Sequence, residues 1–346
     1  MYQQSTNPAR LYLPLLTHPQ PMVRQHACLI LLGTYGDRAL TYLRRLLDEA
    51  DPQLRQDARL ALLALVEMID GMVKLQSFRG MHVECLGHMR VYIGSHELQT
   101  ADWAEASGGR AGWQKVAGVL AYLIHCGRRG ASREALGAAV WGGAFSASSL
   151  ARTLSTLRQA FRKYAGSAPA IEGALVLESD HCLLDPDCYH SDVQLFEQAF
   201  SLATQIEQDR GLEHAVPIYT HALQLYTGPY MAGVARADGW CRQRRDHLMS
   251  SFMIAAERLA EQAYGQQQYQ RCIDACTLAL DADPAADEVM IWLLRAFTAL
   301  DRPAEREHAY RGYLHAIGLD LQRLESEQDP VVRAYRELVK TKALGE

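Results

Sequence analysis

The sequence predicts a mainly α-helical protein in which one small α+β domain sits between two blocks of helical repeats. Three observations predict it. A short motif near the start returns after about 31 residues, a spacing typical of repeat proteins. Near residue 81 the hydrophobic pattern changes to alternation of period two, and towards the C-terminus it returns to helical spacing broken by Pro and Gly. A chain of 346 residues is long for one core and suits two or three domains. The expected division is 1–75, 76–187 and 188–346.

Composition describes a folded soluble chain, with 49% hydrophobic and 22% charged residues and no biased tail. The net charge of −5 does not advertise a nucleic-acid partner, so any basic surface must be local and offset elsewhere. The opening residues, Met1 to Leu16, lack a basic leader, an apolar run and a small-residue cleavage site, so no signal peptide is expected. The longest apolar run, near Leu60 to Ile69, falls far short of a membrane span of about 20 residues. A cytoplasmic protein with reduced thiols and no membrane partner is expected.

The first block carries the repeat. Pro21, Val23, Arg24, Gln25, His26 and Ala27 return as Pro52, Leu54, Arg55, Gln56, Asp57 and Ala58, each set followed by an aliphatic run. Two helices per unit are expected, for example Asp37 to Glu49 and Pro52 to Ile69, and stacking buries faces that one pair cannot bury alone. These residues resemble HEAT repeats over roughly the first 70 positions, which implies a structural extension or a partner surface.

In the middle block, His82 to Gly87, His88 to Gly94 and Glu97 to Gln99 alternate as three short strands. Gly112 to Cys126 reads as a buried helix with Val116, Leu120, Leu123 and Ile124 inward, stopped by Gly127, Arg128, Arg129 and Gly130. Ser132 caps a short helix, with Glu134 in its first turn, that ends at Trp141, Gly142 and Gly143. Ala170 to Glu172, Ala174 to Glu178 and His181 to Leu184 read as strands, the last two joined at Ser179 and Asp180. Strands, three helices and a terminal hairpin make a winged helix-turn-helix.

The third of those helices, Phe145 to Gly166, has two unlike faces. Leu150, Leu154, Leu157 and Phe161 recur at helical spacing and should enter a core, with Ser146 or Ser148 as the cap. The other side carries Ser149, Arg152, Ser155, Thr156, Gln159 and Lys163, flanked by Arg158 and Arg162. Hydroxyl and amide donors among arginines suit base edges and phosphates in a major groove, which admits a helix. The same pattern also fits a solvated face in any helical protein.

In the last block, Asp192 to Gln205 and Leu212 to Tyr226 form a helical pair, and a long helix leads from Asp238 to near Tyr264. Tyr269 to Leu280, Asp287 to Leu300 and Pro303 to Ile317 continue as helices, with Asp283 and Pro284 between the first two. The spacing of Tyr269, Ala275, Ala279 and Pro284 resembles that of tetratricopeptide (TPR) repeats.

Over most of its length the chain resembles the SARP family, bacterial transcriptional activators of antibiotic and secondary-metabolite pathways. The residues that carry the resemblance are Leu86, Gly87 and Met89 to Val91, then Ala121 to Leu123, Ser132 to Leu136 closing on Trp141, and Leu150 through Phe161. In the last block they are Trp240, Arg242, Arg244, Arg245 and Leu248, which look like the family's bacterial transcriptional activation domain. The resemblance implies a winged helix of the response-regulator output type, with its third helix in the major groove and its hairpin along the minor groove. It places Ser149, Arg152, Thr153 and Thr156 towards bases, and Arg158 and Arg162 on phosphates. It also implies a promoter duplex as partner, contacts with RNA polymerase or another protein, and a homodimer on a direct repeat. The chain departs from the family pattern in three ways. Thr156 and Gln159 stand where basic residues are usual, the hairpin tip Glu178, Ser179, Asp180, His181 is acidic, and a helical block precedes the winged helix.

No enzyme is expected. The sequence has no GxxxxGK[ST] loop, HExxH, GxSxG or CxxC, and no cofactor or metal is implied. Cys272 and Cys276 lie one helical turn apart where tetratricopeptide helices want small buried residues, so packing explains them. Cys182, Cys188, His181 and His190 read as structural, and Glu325, Glu327 and Asp329 as a solvated helix end. Two functions remain. One is a transcription regulator whose Arg128, Arg129, Arg152, Arg158, Arg162 and Lys163 neutralise phosphates. In it, Ser149, Thr153, Ser155, Thr156 and Gln159 discriminate bases. The other is a protein-interaction scaffold whose winged helix has lost its DNA surface, a reading favoured by the acidic hairpin and the negative net charge.

Overall fold

The computed structural model describes residues 9–18, 23–24, 27–28, 30–31, 35, 39, 42–43, 46–48, 51–71, 80–93, 96–104, 110–143, 145–164, 171–319 and 329–343. Contacts group the chain into two compact units, residues 1–196 with 224–246, and residues 197–223 with 247–346.

In the first unit, α1 (Ala9–Leu16) and α2 (Pro52–Gly71) pack on each other. Pro52 opens α2 where a missing N–H costs nothing, and the Asp51 carboxylate accepts from the amide of Gln53 at 2.9 Å. Ala58, Ala61 and Leu65 make its buried stripe. The expected helix 37–49 and the first repeat copy fall largely outside the described residues; of them, Leu46–Asp48 form a 3-10 turn. Tyr35 lies between Tyr12 and His82, with ring centroids 6.3 and 6.1 Å away.

The alternating segment forms a four-stranded sheet of β1 (Met81–Glu84), β2 (Arg90–Ile93), β3 (His96–Glu97) and β7 (Tyr189–Ser191). Its order is β3-β2-β1-β7. β1 and β2 are antiparallel with Val83 opposite Val91, while β7 runs parallel to β1. Met81 and Val83 are buried on one side, as period two requires. The strand β7 is not legible locally, because three residues carry no alternation signal and a parallel partner lies about a hundred positions away.

The helices that follow are α3 (Thr100–Ala104), α4 (Arg110–Cys126), α5 (Arg133–Trp141) and α6 (Ala147–Tyr164). A second sheet contains β4 (Ala131–Ser132), β5 (Leu175–Leu177) and β6 (His181–Leu184) in the order β4-β6-β5. Val116, Leu120, Leu123 and Ile124 are buried as expected, and α4 packs against both α5 and α6. Ser132 caps α5 by accepting from the amide of Ala135 at 3.1 Å. The hairpin is shorter than read, since Ile171 and Glu172 lie in a turn and are not part of a strand.

The later helices are α7 (Asp192–Arg210), α8 (Leu212–Leu225), α9 (Asp238–Gly265), α10 (Tyr269–Ala282), α11 (Asp287–Ala299), α12 (Pro303–Ala316) and α13 (Pro330–Ala343). In the second unit α11 packs on α10, α12 and α13. The small residues Cys272, Cys276 and Ala279 are fully buried, which allows close helix approach. The Tyr313 hydroxyl lies 2.8 Å from both Asp287 and Asp329, which share its single proton. Asp329 also accepts from the amides of Val331 and Val332, so it caps α13 and is not a solvated helix end. Glu325 and Glu327 lie outside the described residues.

Candidate nucleic-acid interface

Helix α6 begins where Ser146 accepts from the amide of Ser149 at 3.1 Å, the expected cap. Leu150, Leu154, Leu157 and Phe161 are all buried. On the opposite side Arg152, Ser155, Gln159, Arg162 and Lys163 are exposed, and Ser149 and Arg158 are half-buried. Steps of three, four and three residues from Arg152 to Ser155, Gln159 and Arg162 draw one stripe along the helix. From Ala135 to Ile171 the sequence has four basic residues (Arg152, Arg158, Arg162, Lys163) and no acid, so the stripe is locally cationic despite the negative total.

Two candidates change places. Thr153 and Thr156 are buried, at 9% and 3% exposure, and each hydroxyl donates one turn back within its own helix. Thr153 Oγ1 reaches the carbonyl of Ser149 at 2.9 Å, and Thr156 Oγ1 that of Arg152 at 3.1 Å. Neither faces outward as expected. Thr153 stands four residues before Leu157 and Thr156 four before Ala160, so angular position places both at the margin of the core face, and back-bonding satisfies their hydroxyls there.

The flanking cations are held to different degrees. Arg158 donates to the carbonyl of Leu175 in β5 at 3.4 Å, joining the helix to the hairpin. Lys163 lies 3.3 Å from the Asp102 carboxylate, which also accepts from Tyr164, from the Gln99 amide at 2.8 Å and from His96 at 3.0 Å. Burial acts to raise that carboxyl, but the hydrogen bonds from Tyr164, Gln99, His96 and Lys163 outweigh it and hold it below the usual carboxylate range. The His96 ring stacks on Tyr164 at 4.2 Å, so α3 and β3 together pin the last turn of α6. Arg128 pairs with Asp187 at 3.0 Å with both side chains largely in solvent, a contact worth little there, and Arg129 is exposed. The hairpin tip Glu178, Ser179, Asp180 is exposed and acidic, as the sequence indicates.

Cys272 Sγ lies 3.8 Å from the carbonyl of Trp292, and Cys276 is pushed up by its hydrogen bond with Cys272 and by burial. Cys182 and Cys188 are buried, and burial raises Cys188 to about 12. His181 is half-buried beside Gly130, and burial lowers His190. No group of three or more His, Cys, Asp or Glu gathers at metal-binding distance among the described residues. None of the described helices is long and apolar enough to cross a membrane.

Residues 191–339 match the family described as the bacterial transcriptional activator domain. The C-terminal region is thus similar to a bacterial transcriptional activator domain. The solved structure of Mycobacterium tuberculosis EmbR in complex with a low affinity phosphopeptide is similar in fold, with a TM-score of 0.56 at 17% identity. The match covers 75% of this chain and 65% of that one, so the chain spans less than two thirds of that protein's length. No curated protein matches the sequence. The resemblance to SARP-type regulators, a winged helix followed by the activator domain, is borne out.

The start of the activator domain is built into the winged helix. Asp192, 8% exposed, accepts from the amides of Cys85 at 2.7 Å, Leu86 at 2.9 Å and Val193 at 2.8 Å. Burial raises its carboxyl to about 7 against the lowering effect of those amides. Residues 227–232 of the activator domain run beside the turn after β1. There Gly87 donates to the carbonyl of Pro229 at 3.2 Å, and Met231 to that of Cys85 at 2.7 Å. Gly87 has a φ of +99°, and a Cβ there would stand 3.0 Å from Thr227 Oγ1. Arg245, in the motif after Trp240, donates to the carbonyl of Tyr230 at 3.0 Å and pairs with Asp238 at 2.6 Å. Trp240 packs edge-on against Tyr122 of α4 at 5.3 Å and lies 4.9 Å from His125. An acid at the first position of a helix is a visible sequence signal, but its amide partners some 107 residues upstream leave no trace in local sequence.

Proposed function

We propose that the protein is a sequence-specific DNA-binding transcription regulator of the activator type that lays α6 in the major groove. The observation that carries this reading is the exposed stripe Arg152, Ser155, Gln159 and Arg162 on a helix whose other face is locked in the core. In this reading Arg152, Ser149, Ser155 and Gln159 meet base edges. Arg158, Arg162, Lys163, Arg128 and Arg129 neutralise phosphates, with Lys163 exchanging Asp102 and Arg128 exchanging Asp187 for the duplex. Thr153 and Thr156 serve as internal supports.

The division 1–75, 76–187 and 188–346 then assigns a helical-repeat extension, a DNA-reading domain and an activator domain. The helical repeats carry homodimer contacts and the contact with RNA polymerase or another protein, and the protein works in the cytoplasm. EmbR, a structural neighbour, is in complex with a phosphopeptide, which fits a regulator that also holds protein ligands. Gel-shift titration across a salt series tests the reading. Retardation with a steep inverse dependence on salt supports it, and no retardation of any duplex at low salt removes it.

A second reading has its own observation. The exposed acidic tip at Glu178 and Asp180 would repel a phosphate backbone, as expected of a protein scaffold that has lost its DNA surface. An intact complex between the purified chain and a partner protein, with no DNA affinity, would favour it.

A further inference from the structure

Among the described residues, one pair of cations outside the expected interface has no carboxylate partner. Lys115, on α4, donates to the carbonyl of Val140 at 2.8 Å and lies 5.4 Å from the Trp141 ring, at the C-terminal end of α5. Arg236, exposed and in a left-handed conformation with φ +65°, lies against the same helix end. A Cβ on Gly142, whose φ is +84°, would stand 2.5 Å from Arg236 Nη2. Burial lowers the pKa of Lys115, and the charge of Arg236 lowers it further. Among the described residues neither cation forms an ion pair. Two like charges held near each other without a counter-ion favour an anion at that place.

Their position relative to α6 says which anion. With 18 residues at 1.5 Å per residue, α6 is about 27 Å long, more than twice the width of a major groove of about 12 Å. A helix of that length meets a sugar-phosphate backbone towards each end. Three of its cations, Arg158, Arg162 and Lys163, are in its second half, while its opening residues Ser146, Ser148 and Ser149 are neutral. The chain reaches the start of α6 through residues 142–146, directly after the helix end that Lys115 and Arg236 occupy.

We propose that Arg236 and Lys115 form a phosphate-binding point at the N-terminal end of α6, so that the activator domain contributes a cation to the duplex contact. This rests on the DNA-binding reading above. Arg236 belongs to the region matched as the activator domain, and the exposed hydroxyl of Ser148 stands beside the start of α6. Contacts of this kind set affinity and register and carry no base preference.

The test uses the full chain and a mixed-sequence duplex, with affinity measured by fluorescence anisotropy over a sodium chloride series. Wild type, Arg236→Gln, Arg236→Glu, Lys115→Met and Arg152→Ala are compared after circular dichroism shows equal helix content. Loss of one phosphate contact in Arg236→Gln lowers the salt slope by about 1, and Arg236→Glu weakens binding further on every duplex tried. Unchanged slope and affinity in Arg236→Gln and Lys115→Met, with Arg152→Ala impaired, overturns the inference and leaves the reading beneath it standing. That outcome would point instead to a carboxylate of a protein partner as the anion. No binding by wild type overturns both.

Discussion

Thr156 Oγ1 donates to the carbonyl oxygen of Arg152 at 3.1 Å, one turn back along α6, so a hydroxyl that polarity alone assigns to the groove is spent inside the helix. Thr156→Val should therefore leave DNA affinity within about twofold of wild type, since no base or phosphate partner is removed. Arg152→Ala, one turn away and exposed, should lose about 1–3 kcal/mol of binding if its guanidinium meets a base edge. Anisotropy titration on one selected duplex separates the two. Equal losses in both variants would contradict the assignment of faces.

The sequence makes α6 legible in its apolar stripe and its cap, because Leu150, Leu154, Leu157 and Phe161 repeat at helical spacing and Ser146 precedes them. It misleads at Thr156, where polarity outweighs angular position in assigning the face, and the family resemblance misleads in the same way at Thr153. The winged-helix strands are legible where alternation lasts four residues, as in β1 and β2. They are not legible in β7, whose identity comes from pairing with β1. Asp192 and Arg236 were missed for one reason: what they touch lies about a hundred residues away in sequence.

Gly130 has a φ of +59°, and a Cβ there would stand 2.4 Å from His181 Nε2 and 2.7 Å from the carbonyl of Cys182. The strand pairing of β4 with β6 passes through this point. Gly130→Ala should destabilise the first unit by about 1–3 kcal/mol through backbone strain, and by more if β6 must shift. Chemical denaturation measures it. A change under half a kilocalorie would mean that the hairpin is not held against this turn.

Asp192 is pushed up to about 7 by burial, well above an ordinary carboxyl of about 4. The folded protein then holds a proton that the unfolded chain has released between those values. This group's share of stability is full below about pH 4 and falls as pH rises towards 7. Asp192→Asn removes that slope, so the cost of the substitution should be largest in acid and shrink above neutrality. Thermal melts of both proteins across the window show it. A cost that grows with pH would contradict the protonation assigned here.

His221, deeply buried, is lowered to about 4 by desolvation, below the ordinary histidine value of about 6.5. The stability that it gives to the second unit is present above pH 6.5 and lost as pH falls through 4, because the unfolded chain takes up the proton first. His221→Gln should flatten the acid limb of the stability curve, read by melting temperature. An unchanged acid limb would show that the ring titrates normally.

Tyr313 joins α11 to the cap of α13 through its hydrogen bonds to Asp287 and Asp329. Tyr313→Phe should cost about 1–3 kcal/mol, since it leaves two part-buried carboxylates short of a donor. It should leave DNA affinity untouched. Hydrogen exchange at the amides of Val331 and Val332 would report loosening of the cap, and unchanged exchange would contradict the role given to the tyrosine.

The most direct measurement of the central claim, that the exposed stripe of α6 lies on duplex DNA, is hydroxyl-radical footprinting of the wild-type chain and an Arg152→Ala, Arg162→Ala double variant on a duplex selected from a random pool. The account predicts protected backbone on both sides of one major groove with wild type, and loss of that protection with the double variant at the same protein concentration. The same footprint from both proteins, or no protection by wild type on any selected duplex, would contradict it.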